Sequence, residues 1–408
     1  SVENYLRGRS LQPRRIIGLP EEDRNSPEIN KVLLEQLEKI KHYVDGVLVC
    51  TEPKAHKKYI AWALQNNIDV LTDKPLTAPL INQTGPQQLW QDYLDLEKLL
   101  AHSKAKLTLM TNKRLHRAYG ALYNALREFV VNWQIPLTHV EISEGGGVWN
   151  MPLEFKTREN HPYKYGYGVL LHTGFHFVDL LTYYQEVNHL IGLKEDAVNV
   201  HAFGVSPYDV MHQISPSALR KLFPKEDFTQ EFEQTPLEEY KQYGMVDVTA
   251  SLQFLKQGAV ITQATLNLLQ NTLSCRARRP MADNPYLHNG RLSQNYISVF
   301  AGPLFHARLG YFQPDTQPSS GDTYVLEICR NTVLVGGRSY QREEFSDLDL
   351  SAPGTEPMSV TMQAKLDIIH QWLEGACPAT DFAKHKRAVQ ITERIFEEIL
   401  KRRKERFS

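Results

Sequence analysis

The chain has little cysteine, no bias of charge and no long apolar run. Its four cysteines among 408 residues, Cys50, Cys275, Cys329 and Cys377, are widely scattered. They form no Cys-x-x-Cys pair and no Cys/His spacing of the kind that holds zinc, which sets aside a disulfide framework and a structural metal and fits a reducing compartment. Lys plus Arg number 46 against 47 Asp plus Glu, a formal net charge of -1, so no global field draws the protein to nucleic acid or an anionic membrane. No stretch approaches a membrane span, residues 1–20 lack a secretory apolar core, and no repeat or low-complexity tract occurs. Cytoplasm is the expected location. What is present is 42% hydrophobic and 23% charged sequence, enough for packed cores, in a length that suits two domains.

Residues 15–112 alternate short β-rich runs with longer helical patterns, the mark of βαβ units and a parallel sheet. Strands are expected over 15–19, 45–50, 68–72 and 106–110, and helices over 29–40, 56–66 and around Leu89, Tyr93, Leu96 and Leu100. Beyond Asn112 the pattern changes. Strands expected over 138–143, 245–255, 259–268, 296–301, 306–312 and 323–335, with helices over 119–131, 174–184 and 360–374, describe an α+β unit with a large, mostly antiparallel sheet. A last helix over 386–404 carries Ala388, Ile391, Ile395 and Ile399 on one face, and its Lys401-Arg402-Arg403-Lys404 ending reads as a solvated helix end. Residues 204–241, rich in proline, charge and aromatics, read as a surface excursion or a lid. The expected division is 1–113 and 114–383, with the helix at 384–405 packing near the first domain.

Three segments carry chemistry. Thr51-Glu52-Pro53-Lys54-Ala55-His56 joins a strand to a helix, where a hydroxyl and free amides can meet a phosphate or ribose; ordinary helix entry explains it equally well. Asp73-Lys74-Pro75 delivers a lysine to a strand end, where a fixed positive charge can polarise a substrate oxygen. In Gly166-Tyr167-Gly168-Val169-Leu170-Leu171-His172-Thr173-Gly174-Phe175-His176-Phe177-Val178-Asp179, a helix entered near Gly174 places His172, His176 and Asp179 on one face at spacings of four and three. Two imidazoles there suit proton transfer near neutral pH. No third ligand accompanies the His-x3-His pair, so no metal is expected.

Together these segments resemble the glucose-fructose oxidoreductase/inositol dehydrogenase/MocA (Gfo/Idh/MocA) family of NAD(P)-dependent oxidoreductases. The family's Thr-Pro-type strand end followed by His is matched by Thr51, Pro53 and His56, its Glu-Lys-Pro by Asp73-Lys74-Pro75, and its Asn-x-Arg by Asn112-Lys113-Arg114. Its Asp-x-Gly-x-His-x-x-Asp is matched by His172 through Asp179. The resemblance implies a Rossmann domain followed by an α+β domain whose open sheet forms a homodimer or homotetramer, with NAD or NADP as cofactor. It implies Lys74 and His176 as catalytic residues assisted by His172, and a cofactor wall of Thr51, Glu52, Pro53, His56, Asp73, Lys74 and Asn112. The substrate is then a small hydroxylated molecule, a sugar, sugar derivative or cyclitol, with Arg114, Trp149, Tyr165 and Asp179 as its wall.

Two departures qualify this. His172 stands where the family has aspartate. No Gly-x-Gly-x-x-Gly occurs near the start, although a dinucleotide fold needs that turn after its first strand. Residues 15–19 resemble the second strand, with Glu21 or Glu22 near the ribose-reading position. The expectation is that a preceding segment with the first strand and its turn is missing from this sequence, and a targeting signal could lie in it; the alternative is a degenerate member that no longer binds dinucleotide. A non-catalytic sensor of dinucleotide or sugar, and a lyase or glycosidase that oxidises transiently on bound NAD, use the same cleft.

Overall fold

The structure is a computed structural model that describes residues 13–14, 16–18, 26–159, 161–225, 228, 237–276, 290–312, 323–346, 359–375 and 378–408. Two sheets organise it. The first is parallel, in the order β1 (Gly46–Val49), β2 (Asp69–Thr72), β3 (Leu107–Leu109). Helices α1 (Lys31–Ile40), α2 (His56–Gln65) and α3 (Gln87–Ala101) alternate with these strands. Asn30 caps α1 through its side chain, and α2 buries Ile60, Ala63 and Leu64 at the helical spacing that the sequence shows. Of the strand expected over 15–19, residues 16–18 are described and have no regular structure, while Glu21 and Glu22 lie outside the described residues.

The second sheet has eight strands in the order β11-β10-β9-β8-β4-β7-β6-β5. These are β4 (His139–Gly145), β5 (Ala197–Val205), β6 (Asp247–Lys256), β7 (Ala259–Leu269), β8 (Gln294–Ala301), β9 (Phe305–Phe312), β10 (Thr323–Arg330) and β11 (Tyr340–Ser346). Only β4 and β7 pair in parallel; the other pairs are antiparallel. The β6–β7 hairpin turns through Gln257 and Gly258, both at positive φ (51° and 80°), the twist that a two-residue hairpin demands. Along β6, Val248, Ala250, Leu252 and Phe254 are buried in strict alternation, so one face of the sheet meets the core. Helix α4 (Arg117–Trp133) covers that face at β9 and β10, and α5 (Phe175–Gln185) covers it at β4 and β7. Sequence reading misses β5 and β11, whose alternation is blurred by exposed residues, and it overextends β10, which stops at Arg330 before a helical turn at Thr332–Val335.

Two further helices close the molecule, α6 (Val360–Leu373) and α7 (Lys386–Phe407). The latter packs on α3, α5 and β5 at once, so it spans both sheets. Its basic ending is not simply solvated. Arg403 Nη2 donates to Tyr243 O at 2.9 Å, Arg402 lies over the Phe203 ring at 4.5 Å, and Arg406 pairs with Asp209. Nor is the segment after β5 a bare excursion. Its helical turns at Pro207–Gln213 and Leu237–Tyr240 contribute Val210, Met211 and the fully buried Tyr240 to a small core with Phe155 and Tyr163.

The entry to α5 is held by backbone against backbone. Gly168 has φ +55° and a Cβ there would lie 2.3 Å from both N and O of Met245. Val169 N donates to Met245 O at 2.7 Å, which locks that approach. A Gly168→Ala change therefore combines left-handed strain with overpacking and should cost at least about 1–3 kcal/mol. Thermal unfolding of the variant, with a matching shift in urea midpoint, checks this.

Candidate active site

The carboxyl ends of β1, β2 and β3 open toward the entry of α5, and their loops meet it. After β1, Thr51 is exposed while Glu52 and Pro53 are half-buried at the turn that begins α2. His56 lies beneath that surface, fully buried, with Nδ1 2.9 Å from Pro75 O and Nε2 3.0 Å from Thr51 O. Burial holds it below the usual imidazole range despite both carbonyls. It ties the loop after β1 to the loop after β2, which is a structural duty rather than a ligand contact. After β2, Asp73 is exposed and its Oδ1 accepts from the Lys74 amide at 2.8 Å. The Lys74–Pro75 peptide is cis. Lys74 Nζ then donates to His172 O at 2.9 Å.

That carbonyl is free to accept because the chain does not run smoothly into α5. A wide helical turn over Leu170–Gly174 precedes the helix, and His172 within it has non-helical angles (φ -89°, ψ -107°). The kink corrects the expectation of one shared face. His172 meets Lys74 through its backbone oxygen, while its ring lies 4.4 Å from the His161 ring and 5.5 Å from Tyr163. Asp179 faces elsewhere altogether.

Asp179 and Arg114 do not form a substrate wall. They pair with each other, Arg114 Nε to Oδ2 and Nη2 to Oδ1, both at 2.7 Å, with side chains almost wholly buried. His385 Nδ1 is 2.7 Å from Asp179 Oδ1, and Arg114 Nη2 also donates to Lys384 O at 3.0 Å. A charged residue matched to a buried partner of opposite sign has no charge to spare for a ligand. Trp149 borders a separate shallow pocket with Gln213, Leu222 and Asn271 and leans on Phe223 at 5.8 Å. Tyr165 sits half-buried under Lys54, whose Nζ is 4.6 Å from the ring centroid, at the seam with the first sheet's loops. Asn112 is buried in the turn after β3.

Around Lys74 gather groups that sequence reading passed over. Lys113, quoted only as the middle of Asn112-Lys113-Arg114, donates to Tyr119 OH at 3.2 Å and lies 4.4 Å from the centroid of the Phe177 ring. Burial pulls it down to about 8, against the opposing carboxylate of Glu144. Glu144 ends β4 and is buried, and burial raises its carboxyl to about 7 against the pull of Lys113 and Arg291. The signal available was a carboxylate directly before Gly145-Gly146-Gly147 at a strand end. His161 is lowered to about 3 by burial and then by Lys74 and Arg158. His172 and His176 are likewise held far below the usual imidazole range, by burial first and nearby cations second. Among the described residues, His172 Nε2, His176 Nδ1 and Glu144 Oε2 are buried without a hydrogen-bond partner. No group of three His, Cys, Asp or Glu is placed to hold a metal, and no helix is long and apolar enough to cross a membrane, again among the described residues.

The structure thus joins a parallel nucleotide-type sheet with a lysine at a strand end to a second, largely antiparallel sheet, with imidazoles from the entry of α5 beside that lysine. Residues 21–107 match the family described as GFO_IDH_MocA, oxidoreductase family, NAD-binding Rossmann fold. Over those residues the chain is similar to this family, and they include the first two of the motifs that carry the resemblance, at Thr51 to His56 and Asp73 to Pro75. Its fold is that of three solved structures. An oxidoreductase from Agrobacterium radiobacter in complex with NAD+, L-tartaric acid and magnesium is 13% identical over 87% of this chain and 77% of that one, with a TM-score of 0.52. An oxidoreductase from Sinorhizobium meliloti is 14% identical over 91% and 81%, TM-score 0.51. The aldose-aldose oxidoreductase from Caulobacter crescentus complexed with glycerol is 15% identical over 90% and 81%, TM-score 0.50. No curated protein matches the sequence.

The Arg114–Asp179 pair sets a stability expectation. Asp179 is held well below the usual carboxylate range by Arg114 and His385, which outweigh burial. A depressed carboxyl adds stability that is present above the unfolded value of about 3.9 and is lost as pH falls below it. Asp179→Asn should therefore cost about 3–5 kcal/mol at pH 7 by stranding the buried guanidinium. Denaturant unfolding measured down to about pH 3 should show a shallower acid loss in the variant than in the wild type.

Proposed function

We propose that this protein is an NAD(P)-dependent oxidoreductase that moves hydride between a nicotinamide and the carbinol carbon of a sugar, sugar derivative or cyclitol. One observation carries the reading: Lys74, fixed by the His172 carbonyl at a strand end of the segment that matches an NAD-binding family, is gathered with the buried His172 and the half-buried His176, each of which keeps an enclosed, unpartnered ring nitrogen. The described residues fit the nicotinamide end of a dinucleotide. The loops at 51–54, 73–75 and 112–114 converge at strand ends, and the orphaned polar atoms of His172, His176 and Glu144 await hydrogen-bonding partners of the kind a polyol offers. A bound nicotinamide dinucleotide supplies the hydride acceptor.

The chain's own residues handle the oxygen and its proton. Lys74, which burial and then the nearby cations hold below the usual lysine range, polarises the substrate oxygen when protonated and favours the alkoxide from which hydride leaves. His176, neutral and unpartnered at Nδ1, takes the hydroxyl proton. His172 orients Lys74 through its carbonyl. Thr51, Glu52, Pro53, Asp73 and Asn112 form the wall on the cofactor side, and Tyr165 borders the substrate. We place the division between the two domains near residue 113. The open face of the second sheet, where Ser143, Tyr296, Arg308, Phe312 and Glu327 line a cavity of about 620 Å³, is the homo-oligomer contact. The solved Agrobacterium and Caulobacter structures, with NAD+ and tartaric acid in one and glycerol in the other, agree with small hydroxylated ligands.

The test is reduction of NAD+ and NADP+ with a polyol and sugar panel, alongside nicotinamide release on denaturation. Lys74→Ala and His176→Ala should each lower kcat by roughly 10²–10⁴-fold while dinucleotide binding, read by fluorescence, is retained. Absence of dinucleotide binding in the wild type sinks the reading.

A further inference from the structure

His176 can take a proton but cannot keep it. Its ring lies among Lys74, Lys113 and Lys365, and the carboxylate that opposes them, Asp179, is already committed to Arg114 and His385. A proton placed there passes on to whatever nearby group can hold it at neutral pH. His161 and His172 are no better, being buried beside cations and against each other.

Glu144 is different in kind. It is the last residue but one of β4, the central strand between β7 and β8, and its side chain points into the same cluster with 6% of the residue exposed. One carboxyl oxygen, Oε2, has no partner among the described residues. The carboxyl also bonds Thr173, whose Oγ1 accepts from Gln270 Nε2 at 3.2 Å. Thr173 stands directly between His172 and the turn into His176, so Glu144 is anchored to the very segment that carries both imidazoles. The groups that face it are Lys74 after β2, Lys113 after β3, Tyr119 on α4, Arg291 before β8 and Asp247 on β6. Lys113 and Arg291 favour its ionised form, while burial and Asp247 favour its protonated form. That opposition leaves both states accessible near neutrality, which is what a group that repeatedly accepts and releases one proton requires.

We propose, resting on the oxidoreductase reading above, that Glu144 is the proton store of the site. In oxidation the carbinol C–H bond breaks with its hydrogen and both electrons going to the nicotinamide. The O–H bond breaks as its proton goes to His176 and from there to the Glu144 carboxylate, so the ketone, the reduced dinucleotide and one protonated carboxyl balance the reaction. Reduction runs the same path backwards. Lys113 is the positioning residue: its charge over Glu144 keeps the ionised state available to accept. His176 then conducts the proton, and the carboxyl holds it.

Infrared difference spectroscopy of the protein alone reads the store directly. A protonated-carboxyl stretch should be present at low pH and disappear as pH rises between about 6 and 8, the width of one titration around the expected value. The share of it that belongs to Glu144 should be lost in Glu144→Gln and should titrate at higher pH in Lys113→Met, which removes the facing charge. Glu393, also raised to about 7 by burial and then by Glu397, contributes equally to both proteins, so it is the wild-type minus Glu144→Gln difference that reads the store, and absence of the stretch from that difference overturns the proposal. With a panel substrate, Glu144→Gln should lose on the order of 10²-fold in kcat with KM little changed, and flatten the pH profile between those limits; Glu144→Asp should restore the pH dependence. Unchanged kcat and pH profile in Glu144→Gln would overturn the proton store while leaving the oxidoreductase standing. If the stretch titrates as expected but the wild type reduces neither dinucleotide, it is the oxidoreductase reading that falls, and the catalytic role of the stored proton falls with it.

Discussion

The site depends on a buried ion pair that never touches it. Arg114 comes from the turn after β3, Asp179 from the middle of α5 and His385 from the turn that starts α7, and all three meet out of water. Taking these charges from solvent costs several kcal/mol each, which the bidentate geometry and the extra carbonyl acceptors at Lys384 and Ala379 offset. Such a pair adds little net stability, but it permits very few arrangements of the elements that bear it. It therefore fixes α5 against the first sheet, and with α5 the position of His176 relative to Lys74. Tyr167, whose hydroxyl donates to Ala78 O at 2.7 Å, pins the same segment from the other side.

Within the cleft, burial decides the charge states. Lys74, Lys113 and Arg291 bring positive charge, yet three histidines stay neutral and a glutamate is pushed toward its protonated form. For the histidines the two influences add, since desolvation and cations both disfavour a second proton. For Glu144 they oppose, and the result lands near neutrality. The chemical difference between these groups follows from that sign alone.

Much of this was legible from the sequence because it is written in local patterns. The period of α2, α3 and α7, the hairpin turn at Gln257-Gly258 and the change from alternating β/α to consecutive strands gave both sheets and their order of appearance. Lys74 was legible because a strand end and a proline bracket it. The one-face reading of His172, His176 and Asp179 failed because helical spacing presumes a regular helix, and the turn over Leu170–Gly174 is not one. Arg114 and Asp179 were misplaced for another reason: their bond spans 65 positions, and no local pattern distinguishes a charge facing a ligand from a charge facing a buried partner. Glu144 escaped notice in the same way, since its partners come from β3's loop, α5's entry and the approach to β8.

Helix α7 is the element on which both halves of the cleft lean. Its buried stripe of Ala388, Val389, Ile391, Ile395, Phe396 and Ile399 rests on α3, α5 and β5, and His385 at its start completes the ion pair. During synthesis the strands that bear Lys74 and Glu144 emerge long before these residues do. The chain must then wait, with an apolar groove across both sheets and an aspartate lacking one of its partners, until residues 385–399 clear the ribosome. Assembly of the site is thus completed only when α7 docks, and until then the groove formed by α3, α5 and β5 stays open.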